Sequence, residues 1–395
     1  MLAEGRRLEH IPYLAFLPYL PLERPVVFSN WWLGPAARFR RPWASPEFHT
    51  ASRRFLTRFR TADGRRVTSP AILAHRERGA DGRLPSAHEV EILEATILFA
   101  VLDANPEWSE EVDARRVATS DNADLFLWPI DVGGGVTMGP HGLIVQHITG
   151  GLRFTRRGFR VPGPLALSLP RKLTLDADLM GALVGAMSMA GPRQPESDAA
   201  RMLRAIRWYG KAWRNDLKLD WGERVVMLKT AFETLLNEDD TRMAARKIER
   251  LFCRVLGTRD TDLLWKPKER RRVVTYTKLS GNTAHEARTD LMDWCITFGE
   301  ARNTVVHKGL SPEMMYACPG GSAYDGHLFH TGSRLFREAV KVRLEDVGFP
   351  MMWASARVRH GVRLFTRIRQ RLARSRRGGC STRTSEAVTV RTPRP

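Results

Sequence analysis

The sequence is poor in cysteine. It has four in 395 residues, at Cys253, Cys295, Cys318 and Cys380, and no CxxC pair among them. That spacing argues against a zinc ribbon. Cys253 and Cys295 fall in amphipathic segments and read as core residues of a reduced, cytoplasmic protein. No apolar run approaches the roughly 20 residues that a membrane-spanning helix needs, so no membrane partner is expected. The early stretch IPYLAFLPYLPL is interrupted by Pro12, Pro18 and Pro21 and lacks a small-residue cleavage site. It reads as an ordered segment rather than a signal peptide. The glycine-rich IDVGGGVTMGPHG (Ile130 to Gly142) has neither the GKS/T ending of a phosphate loop nor GxGxxG spacing, and it reads as a turn. His327 and His330 stand three apart in CPGGSAYDGHLFH, a predicted loop with no carboxylate helix to complete a metal site. No cofactor and no metal are expected.

Acidic residues are also scarce, and most of all at the C-terminus. Residues 357–395 hold twelve arginines, no lysine and one acid, Glu386. This net +11 leaves +9 of the chain's +20 for the rest. Such a tail reads as a disordered polyanion-binding segment. The basic body keeps nucleic acid as the first candidate partner. RFTRRGFR, with Arg153, Arg156 and Arg157 beside phenylalanines, is a candidate RNA-facing hairpin, although an exposed hairpin needs no ligand.

What the chain does have is pattern. Hydrophobic residues make up 43%, with eleven tryptophans, enough for packed cores. Residues 1–195 read as α+β, of unknown role. PVVFSNWWLG (Pro25 to Gly34) is a strand candidate, with Trp31 and Trp32 expected to split between core and surface. FLTRFRTADGRRVTSPAIL is read as two strand-like runs about an Ala62-Asp63-Gly64 turn. SAHEVEILEATILFAVLDANP is a helix opened by a Ser86/Glu89 capping box, and DLFLWPI, GLIVQHI and GLRFTRRGFRVP return to strand patterns. GPRQPESDAA (Gly191 to Ala200) is the candidate boundary.

Beyond it the apolar spacing turns helical. The stripes are Met202, Leu203, Ile206, Trp208, Tyr209 and Trp213; then Val225, Val226, Leu228, Phe232, Leu235 and Leu236; then Met243, Ile248, Leu251, Phe252, Val255 and Leu256, closed by Gly257. RRRVVTYTKLSG fits either a helix or a strand. ARTDLMDWCITFGEARNTVVHKG and SRLFREAVKVRLEDVG complete a predicted bundle over about 200 to 347.

EARNTVVHKG ends the first of those two helices and places Arg302, Asn303, His307 and Lys308 together in sequence. On an ideal helix, five residues turn about 500°, so Arg302 and His307 stand about 140° apart. With Gly309 and Pro312 ending the helix nearby, the two side chains can flank one cleft. The residue types suit metal-free RNA cleavage. A histidine titrates near about pH 6.5 and transfers protons, while an arginine stays charged and grips phosphate oxygens. One histidine falls short of an acid–base pair, and a homodimer facing two motifs would supply both. Taken alone, a basic helix end is also ordinary dipole compensation.

The context resembles the HEPN superfamily, most closely its Apea-like branch. Arg302, Asn303 and His307 match its Arg-polar-x3-His motif. FETLL (Phe232 to Leu236) is similar to the branch's ALExLL-type helix, and ARKIERLFCRVLG to its next helix. TYTKLSGNTAHEAR departs from it where the family has another helix with an aromatic residue. The resemblance covers about 200 to 310. It implies an all-α HEPN-like helical bundle over 196–347, after the α+β domain 1–195 and before the Arg-rich tail 348–395. It further implies a homodimeric endoribonuclease of toxin or phage-defence type, with catalytic Arg302, Asn303 and His307; Lys308 beside them is a candidate RNA contact, and the N-terminal domain is the candidate receiver of a trigger ligand or protein. The alternative is a non-catalytic RNA- or nucleotide-binding or dimerisation module.

Overall fold

The computed structural model describes residues 13–39, 44–58, 66–67, 69–76, 85–104, 118–130, 172–189, 194, 196–214, 219–256, 272–277, 283–288, 290–308 and 328–349. Five short strands form one antiparallel sheet in the order β2-β3-β4-β1-β5. They are β1 (Tyr13–Leu17), β2 (Val26–Phe28), β3 (Trp31–Pro35), β4 (Ala71–His75) and β5 (Phe126–Pro129). Successive side chains of a strand take opposite faces, and both faces here are covered. Leu14, Phe16, Ile72, Phe126 and Trp128 pack with Phe48 and Phe55 of helix α1 (Pro46–Arg58). Tyr13, Ala15, Leu17, Leu33 and Leu73 pack with helix α2 (Ala87–Asp103) and with Met180 of helix α3 (Ala177–Ser188).

Three sequence readings change here. PVVFSNWWLG is a hairpin rather than one strand: Val26–Phe28 pairs with Trp31–Leu33, and Ser29 turns the chain at φ +46°. Trp31 and Trp32 are both buried, at 6% and 4% exposure, because β3 sends them to opposite covered faces. FLTR is not a strand but the end of α1. Phe48, Phe55 and Leu56 recur at helical spacing, Pro46 takes the first turn where its missing N–H costs nothing, and the Ser45 Oγ accepts from the Phe48 N–H at 3.2 Å. The reading at 62–64 lies outside the described residues, as do GLIVQHI and GLRFTRRGFRVP with Arg153, Arg156 and Arg157. So do most of the glycine-rich stretch and the tail beyond Phe349. The Ser86/Glu89 capping box is present in both directions, at 3.1 and 2.7 Å.

The second half is mostly helical: α4 (Asp198–Ala212), α5 (Trp221–Leu236), α6 (Thr241–Leu256), α7 (Asp290–Lys308) and α8 (Leu328–Asp346). Tyr209, Phe232, Phe298 and Phe336 meet at its centre, with ring separations of 4.7 to 6.0 Å along the chain Tyr209–Phe336–Phe232–Phe298. The region is not purely α. RRRVVTYTKLSG resolves as a strand, β6 (Arg272–Thr277), paired antiparallel with β7 (Thr283–Arg288). The β-branched run Val273, Val274, Thr275 favours that outcome. Helix α8 begins before the predicted serine, so His330 belongs to a helix rather than a loop. Met243, expected inside, is 39% exposed.

The sheet half and the helical half share helices. On α2, Leu93, Ile97 and Val101 face the sheet core, whereas Ile92, Phe99 and Leu102 enter the helical core. On α3, Leu179, Leu183 and Ala186 also enter the helical core. The predicted boundary at Gly191–Ala200 therefore overlaps the first turn of α4, which with α3 buries residues in one cluster. α8 closes back onto the end of α2. Lys341 Nζ lies 2.6 Å from Asp103 Oδ1, and Arg337 Nη1 donates to the Leu102 carbonyl at 2.8 Å.

Candidate functional site at the end of helix α7

Helix α7 buries Leu291, Met292, Cys295, Ile296 and Phe298 at helical spacing. Gly299 continues this stripe and lets α6 approach. A β-carbon there would come within 2.3 Å of Thr241 Cγ2 and 2.8 Å of its Oγ1. Cys295, one turn earlier, feels the charge of Glu249 on α6. The two helices therefore run antiparallel. Arg302, one turn beyond Gly299, is at the level where α5 hands over to α6.

That handover is firmly built. Asn237 ends α5 in the left-handed conformation, with φ 49° and ψ 55°. Lys247 Nζ donates to the Leu236 and Asn237 carbonyls, both at 3.1 Å, and pairs with Glu238 at 3.0 Å. Asp240 Oδ1 accepts from the Arg242 and Met243 N–H groups at 3.0 and 2.8 Å, opening α6.

Arg302 is half-buried and Asn303 exposed. Arg302 Nη1 donates to Asn303 Oδ1 at 3.0 Å. Its Nε is buried without a hydrogen-bond partner. The structure thus joins two of the three motif residues. A guanidinium held this way keeps most of its fork of donors for an incoming group. α7 is helical through Lys308, so His307 and Lys308 belong to the helix, and the predicted end signals Gly309 and Pro312 lie outside the described residues. The side chains of His307 and Lys308 lie outside the described residues, as do those of Phe252, Cys253, Val255 and Leu256 on α6. Of FETLL, Phe232 and Leu235 are buried, and Glu233 pairs with Lys229 at 2.8 Å.

Beside Cys295 lie two buried charged residues absent from the sequence reading. Lys229 is 4% exposed and Glu249 6%. Burial pushes the Cys295 thiol well above its usual range. The Glu249 carboxylate adds to this and the Lys229 ammonium opposes it. The signal was present in the sequence: Lys229 stands at stripe spacing with Val225, Leu228 and Phe232, and Glu249 beside Ile248. A charged residue on an inward stripe marks an internal ion pair or a site.

A second polar group joins α4 to α8. Tyr209 Oη and Ser333 Oγ share a 2.7 Å hydrogen bond, and Trp213 Nε1 donates to the same Ser333 oxygen at 3.1 Å. Burial raises the Tyr209 phenol above its ordinary value. His330 packs against Trp221 and Trp213, with ring centroids 5.3 and 6.2 Å away.

Among the described residues, no three of His, Cys, Asp and Glu gather as a metal site, and no helix is long and apolar enough to cross a membrane. Compared with protein-family models, curated proteins and solved structures, the chain finds no match in any of the three.

Proposed function

We propose that the chain is a metal-independent endoribonuclease of HEPN type, Apea-like, acting as a homodimer in toxin or phage-defence biology. Arg302, Asn303 and His307 carry the reaction. The observation that supports it most is the half-buried Arg302, oriented by Asn303 at 3.0 Å on the last turns of a long helix.

In this reading Arg302 binds the scissile phosphate and offsets the charge that grows on its oxygens. His307 of one protomer takes the proton of the attacking 2′-hydroxyl. The same residue of the second copy protonates the leaving 5′-oxygen. The products are a 2′,3′-cyclic phosphate and a 5′-hydroxyl. Asn303 fixes the guanidinium, Lys308 and the arginine-rich regions hold the strand, and the N-terminal half receives the trigger.

The test compares purified wild type, Arg302→Ala and His307→Ala on total RNA in the presence of EDTA, together with growth of bacteria expressing each, with and without phage challenge. Each variant should lose at least about 100-fold in cleavage, the usual scale for a positioned proton donor or charge stabiliser. Wild-type RNA that stays intact in all these conditions, with His307→Ala cells indistinguishable from wild type, sinks the proposal.

One observation favours a second reading, a non-catalytic RNA-binding or dimerisation module. The β6–β7 hairpin occupies the interval where the resemblance calls for a helix. On that reading, deleting residues 357–395 abolishes function and His307→Ala does nothing.

A further inference from the structure

A cleft of about 310 Å³ opens between α2, the 120–125 turn and the second half of α4. This is within the usual size of small-ligand sites, which begin near about 300 Å³. Its floor is apolar, formed by Ala95, Leu98, Ala123 and Leu125. Its walls carry opposite charge: Glu91 and Glu94 line the α2 side, and Arg207 and Lys211 the α4 side. The remaining charged lining residues, Asp124 and Arg214, pair at 2.7 Å. Three acids thus balance three bases, which disfavours a polyanion such as RNA and favours a ligand with both charges.

We propose that this cleft binds a small zwitterion of the α-amino-acid type. Its ammonium group faces Glu91 and Glu94, its carboxylate faces Arg207 and Lys211, and its apolar side chain lies on the floor.

Three further observations bear on this. The Arg207–Glu91 contact is 3.7 Å, with the arginine side chain 42% exposed. It is well beyond the 2.7–2.9 Å of a tight charge-assisted hydrogen bond, so the exposed Arg207 guanidinium can turn to a ligand carboxylate. Lys211 Nζ rests 4.0 Å over the Trp208 ring, a contact that consumes no hydrogen-bond acceptor. Ser120 lines the cleft, and its Oγ is buried with no hydrogen-bond partner. This inference is independent of the proposed ribonuclease activity, because none of these residues belongs to the α7 motif.

The test is isothermal titration calorimetry of the full chain with each proteinogenic L-amino acid. For leucine it includes two one-charge analogues, isoamylamine and 4-methylpentanoate. At least one amino acid should bind with a Kd below about 1 mM, and the one-charge analogues of leucine should bind at least about tenfold more weakly than leucine, since each leaves one charged wall unanswered. Lys211→Glu and Glu94→Lys should each cost at least about tenfold, and Ser120→Ala about two- to tenfold, the scale of one hydrogen bond. Circular dichroism and melting of the exposed Lys211→Glu and of Lys211→Gln should match wild type. The proposal is overturned if no amino acid binds below that Kd. It is equally overturned if binding survives Lys211→Glu and Glu94→Lys, or if one-charge analogues bind as well as the zwitterion.

Discussion

Lys341 is the side chain whose loss should be felt across the whole molecule. Its side chain is 3% exposed, with its ammonium 2.6 Å from Asp103, itself 6% exposed, and 3.0 Å from Glu338. Lys341→Met keeps most of the apolar stem and volume, so the cavity contribution is small. It removes the cation from between two carboxylates in a site with little water. Breaking a buried pair on one side costs about 3–5 kcal/mol, and we expect the lower end because Glu338 is partly exposed. Adding Asp103→Asn should recover part of that loss, since replacing both members of a buried pair is far cheaper than replacing one. Urea unfolding followed by tryptophan fluorescence and far-ultraviolet circular dichroism provides the measurement. Trp31, Trp32 and Trp128 report on the sheet, and Trp208, Trp213 and Trp294 on the helices. Both probes should shift together, because Asp103 ends a helix that serves both cores. A loss under about 1 kcal/mol at unchanged slope would refute the argument that this pair fastens α8 to α2.

Gly299→Ala should cost about 1–3 kcal/mol through overpacking against Thr241, with Thr241→Ser in the same chain restoring part of it; chemical denaturation decides this. Cys295 should resist iodoacetamide at pH 8 in the folded protein and react on unfolding, read by peptide mass mapping, because burial holds its thiol protonated. The same raised value has a pH consequence. It stabilises the fold below about pH 8.5, where the unfolded thiol is also protonated, and that contribution is lost as pH rises above it, by at most about 1.4 kcal/mol per unit; melts at pH 7, 9 and 10 would detect it. Tyr209→Phe should cost about 1 kcal/mol, the net value of one hydrogen bond, and a neutral melt would show that the Tyr209–Ser333 contact is incidental.

The long helices were legible because each carries a stripe wide enough to survive a few exceptions. α4, α5 and α7 lie where the stripes predict, and the Ser86 cap gave the start of α2. The misreadings come from short windows. Phe55-Leu56 looks like a strand until Phe48, about two turns upstream, is counted with it. PVVFSNWWLG looks like one strand because serine and asparagine are weak turn markers beside glycine, although Ser29 accepts a positive φ there. At the site, sequence gave Arg302 and Asn303 as neighbours, which adjacency guarantees. It did not give Gly299 as the close-approach point or the buried Lys229 and Glu249, since those depend on which helix lies opposite.

Helices α2 and α3 carry one further implication, for inheritance and engineering. A fragment beginning at the Gly191–Ala200 stretch would leave Met202, Ile206 and Tyr209 facing a trough once filled by Ile92, Phe99, Leu183 and Ala186. The helical bundle is therefore not a cassette that recombination could move intact by cutting at that polar stretch. Any ancestor or design that carries it elsewhere must bring two upstream helices with it, or evolve substitutes for them. Where those helices go, the sheet's covered face goes too.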